Sequence, residues 1–192
     1  MIILINGSIN SGKTTTARRL VALLPRAAHV EIDALREFVA FLPLAEAIPI
    51  SLENAAAVTR NLARRGFDVV LSYPLGAEDH AGLVAAFADL ATPLHTFTLS
   101  PALATALADR GERWLSEDER RRIREQYAAD GHRPAFGVRI DTTAQTPDET
   151  AAIILDHVGH VGHVGHVDHV RAAREAALGT PVARDGHATD AE

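Results

Sequence analysis

The residues Gly7-Ser8-Ile9-Asn10-Ser11-Gly12-Lys13-Thr14 stand directly after a short apolar run and read G-x-x-x-x-G-K-T in full. Glycines let such a loop wrap tightly with its N–H groups turned inward, and a helix opening at its end adds positive potential, so the spacing suits a chain of phosphates. In that arrangement the Lys13 ammonium reaches the β- and γ-phosphate oxygens and the Thr14 hydroxyl holds Mg²⁺. Lys13 is also the only lysine in the chain, the other 18 of 19 basic residues being arginine.

A second constellation is Glu31-Ile32-Asp33-Ala34-Leu35-Arg36. Period-two geometry puts Glu31 and Asp33 on one side of a strand end, and a parallel sheet puts that end on the same edge as the phosphate loop. A carboxylate there can take the proton of an attacking hydroxyl or orient it, and Arg36, about one helical turn later, is placed to hold the acceptor. The alternative for Asp33 is a helix N-cap. A third set, Arg110 and Arg113, precedes an Arg-rich segment spanning 110–124 with the make-up of a lid. Ser116 and Glu119 form a capping box there, and Glu117 with Arg121 and Asp118 with Arg122 are expected i, i+4 pairs. Arg110 has no such local partner and is the candidate for stabilising charge on a transferring phosphoryl group.

Two nucleotide chemistries are disfavoured. A guanine-reading Asn-Lys-x-Asp motif cannot exist where Lys13, preceded by Gly12, is the only lysine. ATPases that hydrolyse as their main business carry an acidic residue at the end of a core strand. The third strand instead ends Val69-Val70-Leu71-Ser72-Tyr73, and Tyr73 joins Asp33 and Arg36 as a candidate acceptor contact.

These residues require strands that end on one edge. Strands are expected over 2–5, 28–32, 67–71, 94–99 and 137–140, alternating with helices over about 13–24, 52–65, 77–90 and 101–109, the last with Ser100 as N-cap. Thr146-Pro147-Asp148-Glu149 is a capping box with proline at N1, so a closing helix should run from Asp148 to about His157. Strand and helix in alternation predict a three-layer α/β sandwich with a five-stranded parallel sheet. The unbroken apolar runs Ile2 to Ile5 and Val69 to Leu71 fit strands buried on both faces.

The chain of 192 residues has 47% hydrophobic and 23% charged residues, suited to one globular domain, here 1–157. A net charge of -6 leaves no basic surplus for nucleic acid, and without cysteine there is no thiolate metal site or disulfide. No apolar run is long enough for a membrane span or a signal segment, so a soluble cytoplasmic protein is expected. Residues 158–192 form a separate tail that opens on His-Val-Gly repeats. Regular imidazoles there suit a metal, but glycine at every third position favours a flexible extension.

Over about residues 1–157 the sequence resembles the small P-loop kinases grouped with shikimate, adenylate and gluconate kinases, and most of all those like chloramphenicol phosphotransferase. The loop GSINSGKT, the strand ending I-D-A-L, the L-A-D-R-G segment and the R-I-D-T-T stretch carry the likeness. The resemblance implies ATP and Mg²⁺ at Gly7 to Thr15, an acceptor-side carboxylate at Asp33 and a lid arginine at Arg110. It also implies adenine between that arginine and Thr142 and Thr143. Shikimate kinases carry Gly-Gly-Gly where this chain has Ser72-Tyr73-Pro74-Leu75-Gly76, so shikimate is a poor acceptor here. The apolar stretch Phe38 to Ile50 favours a neutral or partly apolar hydroxyl compound, antibiotic-like or a secondary metabolite. A nucleoside or nucleotide kinase and an ATP sensor that transfers nothing are the alternatives.

Overall fold

The computed structural model describes residues 1–39, 42–109 and 114–162. Strands β1 (Ile2–Gly7), β2 (Ala27–Glu31), β3 (Asp68–Ser72), β4 (Leu94–Leu99) and β5 (Val138–Ile140) form one parallel sheet in the order β2-β3-β1-β4-β5. Helices α1 (Lys13–Leu23), α2 (Ile32–Arg36), α3 (Leu44–Ala63), α4 (Ala77–Phe87), α5 (Leu103–Leu107), α6 (Glu117–Ala128) and α7 (Pro147–Gly162) connect and follow them. The expected three-layer sandwich is the observed one.

The sheet's layers follow from its residues. Every residue of β1 is buried, with Ile3 and Ile5 packing toward Ala17 and Leu20 of α1 and Ile154 of α7, while Ile2 and Leu4 pack toward Ala55 of α3 and Leu83 and Phe87 of α4. Alternate β1 side chains thus serve opposite cores, and each fully buried Ile or Leu contributes about 1.5–3 kcal/mol. Strand order reverses on either side of β1, so the carboxyl end of β1 opens at a switch point, where α/β sheets form their crevice.

Several boundaries differ from the sequence-based expectation. Helix α3 begins at Leu44, not Leu52, and contains Pro49. Its buried residues Ala47, Ser51, Ala55 and Thr59 recur every fourth position, so Pro49 lies off the packed stripe and is exposed. Residues 44–50 of the apolar acceptor stretch are therefore helical. Helix α5 starts at Leu103 after Ala102, not after Ser100, because the Ala102 N–H donates to Thr143 Oγ1 (2.8 Å) instead of to a local cap. The Ser116 capping box is present, but the arginine pairs are shifted: Arg121 meets Asp118 (3.0 Å) and Glu125 (3.8 Å). Helix α7 opens on the expected box, with Glu149 N–H donating to Thr146 Oγ1 (3.2 Å), and runs past His157 to Gly162. Val158 packs in the core one turn beyond Ile154, and the His157 ring sits edge-on to Phe97 at 5.4 Å. The folded domain thus takes in the first His-Val-Gly units. The remaining repeats lie outside the described residues.

Candidate active site

Gly7 ends β1 with φ +148°, where a Cβ would lie 2.5 Å from Ser11 Oγ and 2.6 Å from Leu99 O. Only glycine lets the loop turn so close to β4. The loop then passes through Asn10 (φ +60°) and Gly12 (φ +96°), and Gly12 occupies the N-cap of α1 with no side-chain cap. The first N–H groups of α1 are thereby left pointing into the loop. The Ser8 and Ser11 hydroxyls are buried and have no partner among the described residues. Lys13 Nζ folds back across the loop and donates to Gly7 O (3.0 Å) and Ser8 O (2.7 Å). Two unpartnered buried hydroxyls and a helix N-terminus around a cationic centre make a cradle that fits the phosphates of a nucleotide.

Across from the loop, Thr14 Oγ1 donates to Glu31 Oε1 at 2.6 Å, which leaves the hydroxyl's lone pairs free to face a cation. Asp33 lies in the first turn of α2, and its carboxylate pairs with Arg36 at 3.3 Å. Lys13, Thr14, Glu31, Asp33, Ile9, Asn10, Ser72 and Pro74 line one cleft of about 190 Å³ at the carboxyl edge of the sheet. Asn6, buried at the end of β1, holds that edge together: it donates to Thr98 Oγ1 (3.2 Å) and accepts from Leu75 N–H (2.8 Å).

Tyr73 is buried beside this cleft, and burial first, then the Asp33 charge, pushes its phenol above the usual range. Thr15 is exposed on α1. Thr143 is engaged elsewhere, donating to Asp141 (2.5 Å) and accepting from Ala102 N–H, so its hydroxyl ties the segment after β5 to the approach to α5. Arg110 and Arg113 lie outside the described residues.

Glu31, expected beside Asp33 at this edge, has a role that no motif shows, as the partner of Thr14. Ser72 stands where hydrolytic nucleotide enzymes place an acid, and its Oγ lies 2.8 Å from Nε2 of His29. Burial lowers the His29 pKa, against the opposing pull of Glu31.

No family model matches the chain, and no curated protein does. Solved structures match it over most of its length. A tunicamycin resistance protein from Deinococcus radiodurans is 24% identical with a TM-score of 0.56, over 82% of this chain and 95% of that one. A sugar kinase from Janibacter sp. HTCC2649 is 19% identical with a TM-score of 0.60, over 81% and 92%. The fold is that of the P-loop small-molecule kinases. The APS kinase of Mycobacterium tuberculosis, solved with AMPPNP and APS, shares this kinase fold at 20% identity and a TM-score of 0.56, over 81% and 95%. Among the described residues, no helix is long and apolar enough to cross a membrane.

Proposed function

We propose that the protein transfers the γ-phosphoryl group of Mg-ATP to a hydroxyl of a small molecule. The observation that carries this reading is the convergence of Lys13, Thr14, Glu31 and Asp33 on one cleft at the carboxyl edge of the sheet. When bound, Mg-ATP would supply the phosphoryl group, and its metal a divalent charge to offset that of the phosphates. Backbone N–H groups of the loop, with Lys13, bind the phosphates; Thr14 holds the metal, and Glu31 fixes the Thr14 hydroxyl so that oxygen rather than hydrogen faces it. Thr15 is a further nucleotide contact in this reading, whereas the Thr143 hydroxyl, committed to Asp141 and Ala102, is left out of it. Asp33 accepts the proton of the acceptor hydroxyl, and Arg36 holds that carboxylate in place. Arg110 is assigned, from the sequence, to the charge on the phosphoryl group in flight.

The acceptor is a neutral or partly apolar compound of the antibiotic or secondary-metabolite kind. Phe38 and Val39, exposed directly after α2, support this, as does the likeness to a protein named for tunicamycin resistance. A soluble, cytoplasmic enzyme is part of this reading.

The reading is tested by ADP release with Mg-ATP against chloramphenicol, macrolides, aminoglycosides, tunicamycin, gluconate, shikimate and nucleosides. One acceptor of the antibiotic group should stimulate release, and Asp33→Asn should lower kcat by about 10²- to 10⁴-fold with nucleotide affinity kept. Stimulation by nucleosides alone would replace the acceptor class. Nucleotide binding with no acceptor-dependent release, indifferent to Asp33→Asn, would leave a sensor.

A further inference from the structure

Residues 106–109 lead out of α5 toward the arginine-rich segment, and they are held from two sides. The Asn10 side-chain amide donates one N–H to Ala106 O and the other to Ala108 O, each at 2.9 Å. Arg120 of α6 donates to Leu107 O (2.6 Å) and to both carboxylate oxygens of Asp109 (2.8 and 3.0 Å). Helix α5 has five residues, too few to persist alone, and its last carbonyls have no partner within the helix. Asn10 and Arg120 provide those partners. The loop is itself held by α6: Gln126 Oε1 accepts the Ile9 N–H at 3.0 Å, and the Ile9 side chain packs on the small core of Ala106, Leu115 and Ile123. Asn10 sits at φ +60°, a conformation that asparagine and glycine accept and most residues resist.

We propose that Asn10 and Gln126 are positioning residues that couple the phosphate loop to the α5–α6 unit. A shift of the loop moves Asn10 and, with it, the carbonyls of Ala106 and Ala108. A shift of α6 moves Gln126 and, with it, the Ile9 amide. The coupling is reciprocal, so whatever the loop binds biases the position of residues 106–109, and the position of α6 biases the affinity of the loop. Its functional meaning rests on the nucleotide reading above; the coupling itself does not.

Hydrogen exchange on the whole chain, with and without Mg-AMPPNP, tests it. Asn10→Gly removes both donors while tolerating the positive φ. In the nucleotide-free protein it should speed exchange over residues 103–109 by about fivefold for each hydrogen bond lost. Gln126→Met should likewise speed exchange across residues 8–12, and Gln126→Glu, which keeps an acceptor for the Ile9 N–H, should restore it. With Mg-AMPPNP, wild type should gain protection over the loop and over both 103–109 and 117–128, whereas Asn10→Gly should lose the gain over 103–109 and Gln126→Met the gain over 117–128. Nucleotide-free Asn10→Gly that exchanges over 103–109 like wild type, or a nucleotide effect that reaches α6 undiminished in Gln126→Met, overturns the proposal. A wild type that binds no Mg-AMPPNP defeats the nucleotide reading instead, and the nucleotide-free comparison still decides the coupling.

Discussion

The two sides of the cleft are built differently. On the phosphate side, a contiguous loop is fixed by glycines at φ +148° and +96°, by the Lys13 ammonium bonded to two loop carbonyls, and by a strand buried over its whole length. On the acceptor side, Asp33 and Arg36 sit on a five-residue helix that leads into exposed Phe38, Val39 and, across the segment outside the described residues, Leu44. One side is backbone locked by the sheet, and the other is side chains on a short element. Rigid geometry suits a ligand part that never varies, and a loosely packed apolar rim suits one that differs from enzyme to enzyme.

The sharpest way to break this contrast is Lys13→Ala. It should cut acceptor-dependent ADP release by about 10²- to 10³-fold, as removal of a preorganised charge donor does, while the melting temperature stays near wild type. Gly7→Ala should act through the fold, because its Cβ meets the Leu99 carbonyl at 2.6 Å with β4 unable to give way. A loss of about 1–3 kcal/mol is expected in denaturant unfolding, together with weaker nucleotide binding. On the acceptor side, Phe38→Ala should leave stability unchanged, since the ring is 77% exposed, and raise KM for the acceptor several-fold with KM for ATP unmoved. Equal changes in both constants would show the two sides to be one rigid unit.

The smallest effect lies far from the cleft. The bidentate bond from Arg60 holds the Asp89 carboxyl down at about 2, below its ordinary 3.8. A depressed folded-state pKa stabilises above the unfolded value and ceases to as pH falls through the folded one. Asp89→Asn should therefore lower the melting temperature slightly near neutral pH, and the difference should fade between about pH 4 and 2.

What the sequence makes legible follows the same division. The phosphate loop could be read because its parts are adjacent in the chain and their chemistry fixes their spacing. Strands β1 and β3 could be read because burial on both faces leaves nearly unbroken apolar runs, and the partly exposed β2, β4 and β5 because they alternate with helices. Glu31 and Asp33 share the cleft as period-two geometry required, although Asp33 belongs to α2 and not to the strand. The contacts that bind loop to α5 and α6 could not be read, since Asn10 and Ile9 find partners 96 to 117 positions away and no local pattern records them. Pro49 hid the start of α3, because a proline on an exposed face spoils a helical signal in sequence more than it spoils the helix. The arginine pairs of α6 differ from the expected ones by a single position because Arg120 turns inward to Asp109, leaving Arg121 to find Asp118 and Glu125.

Helix α7 enters the His-Val-Gly tract before it ends, and Val158 is a core residue supplied by the tract's first unit. A tandem repeat is prone to gain or lose whole units when its gene is copied. Here such a slip is silent for the domain: remove one unit, and the next brings another histidine and valine to positions 157 and 158 in the same frame. A gain or loss of whole units therefore leaves the packing of Val158 undisturbed.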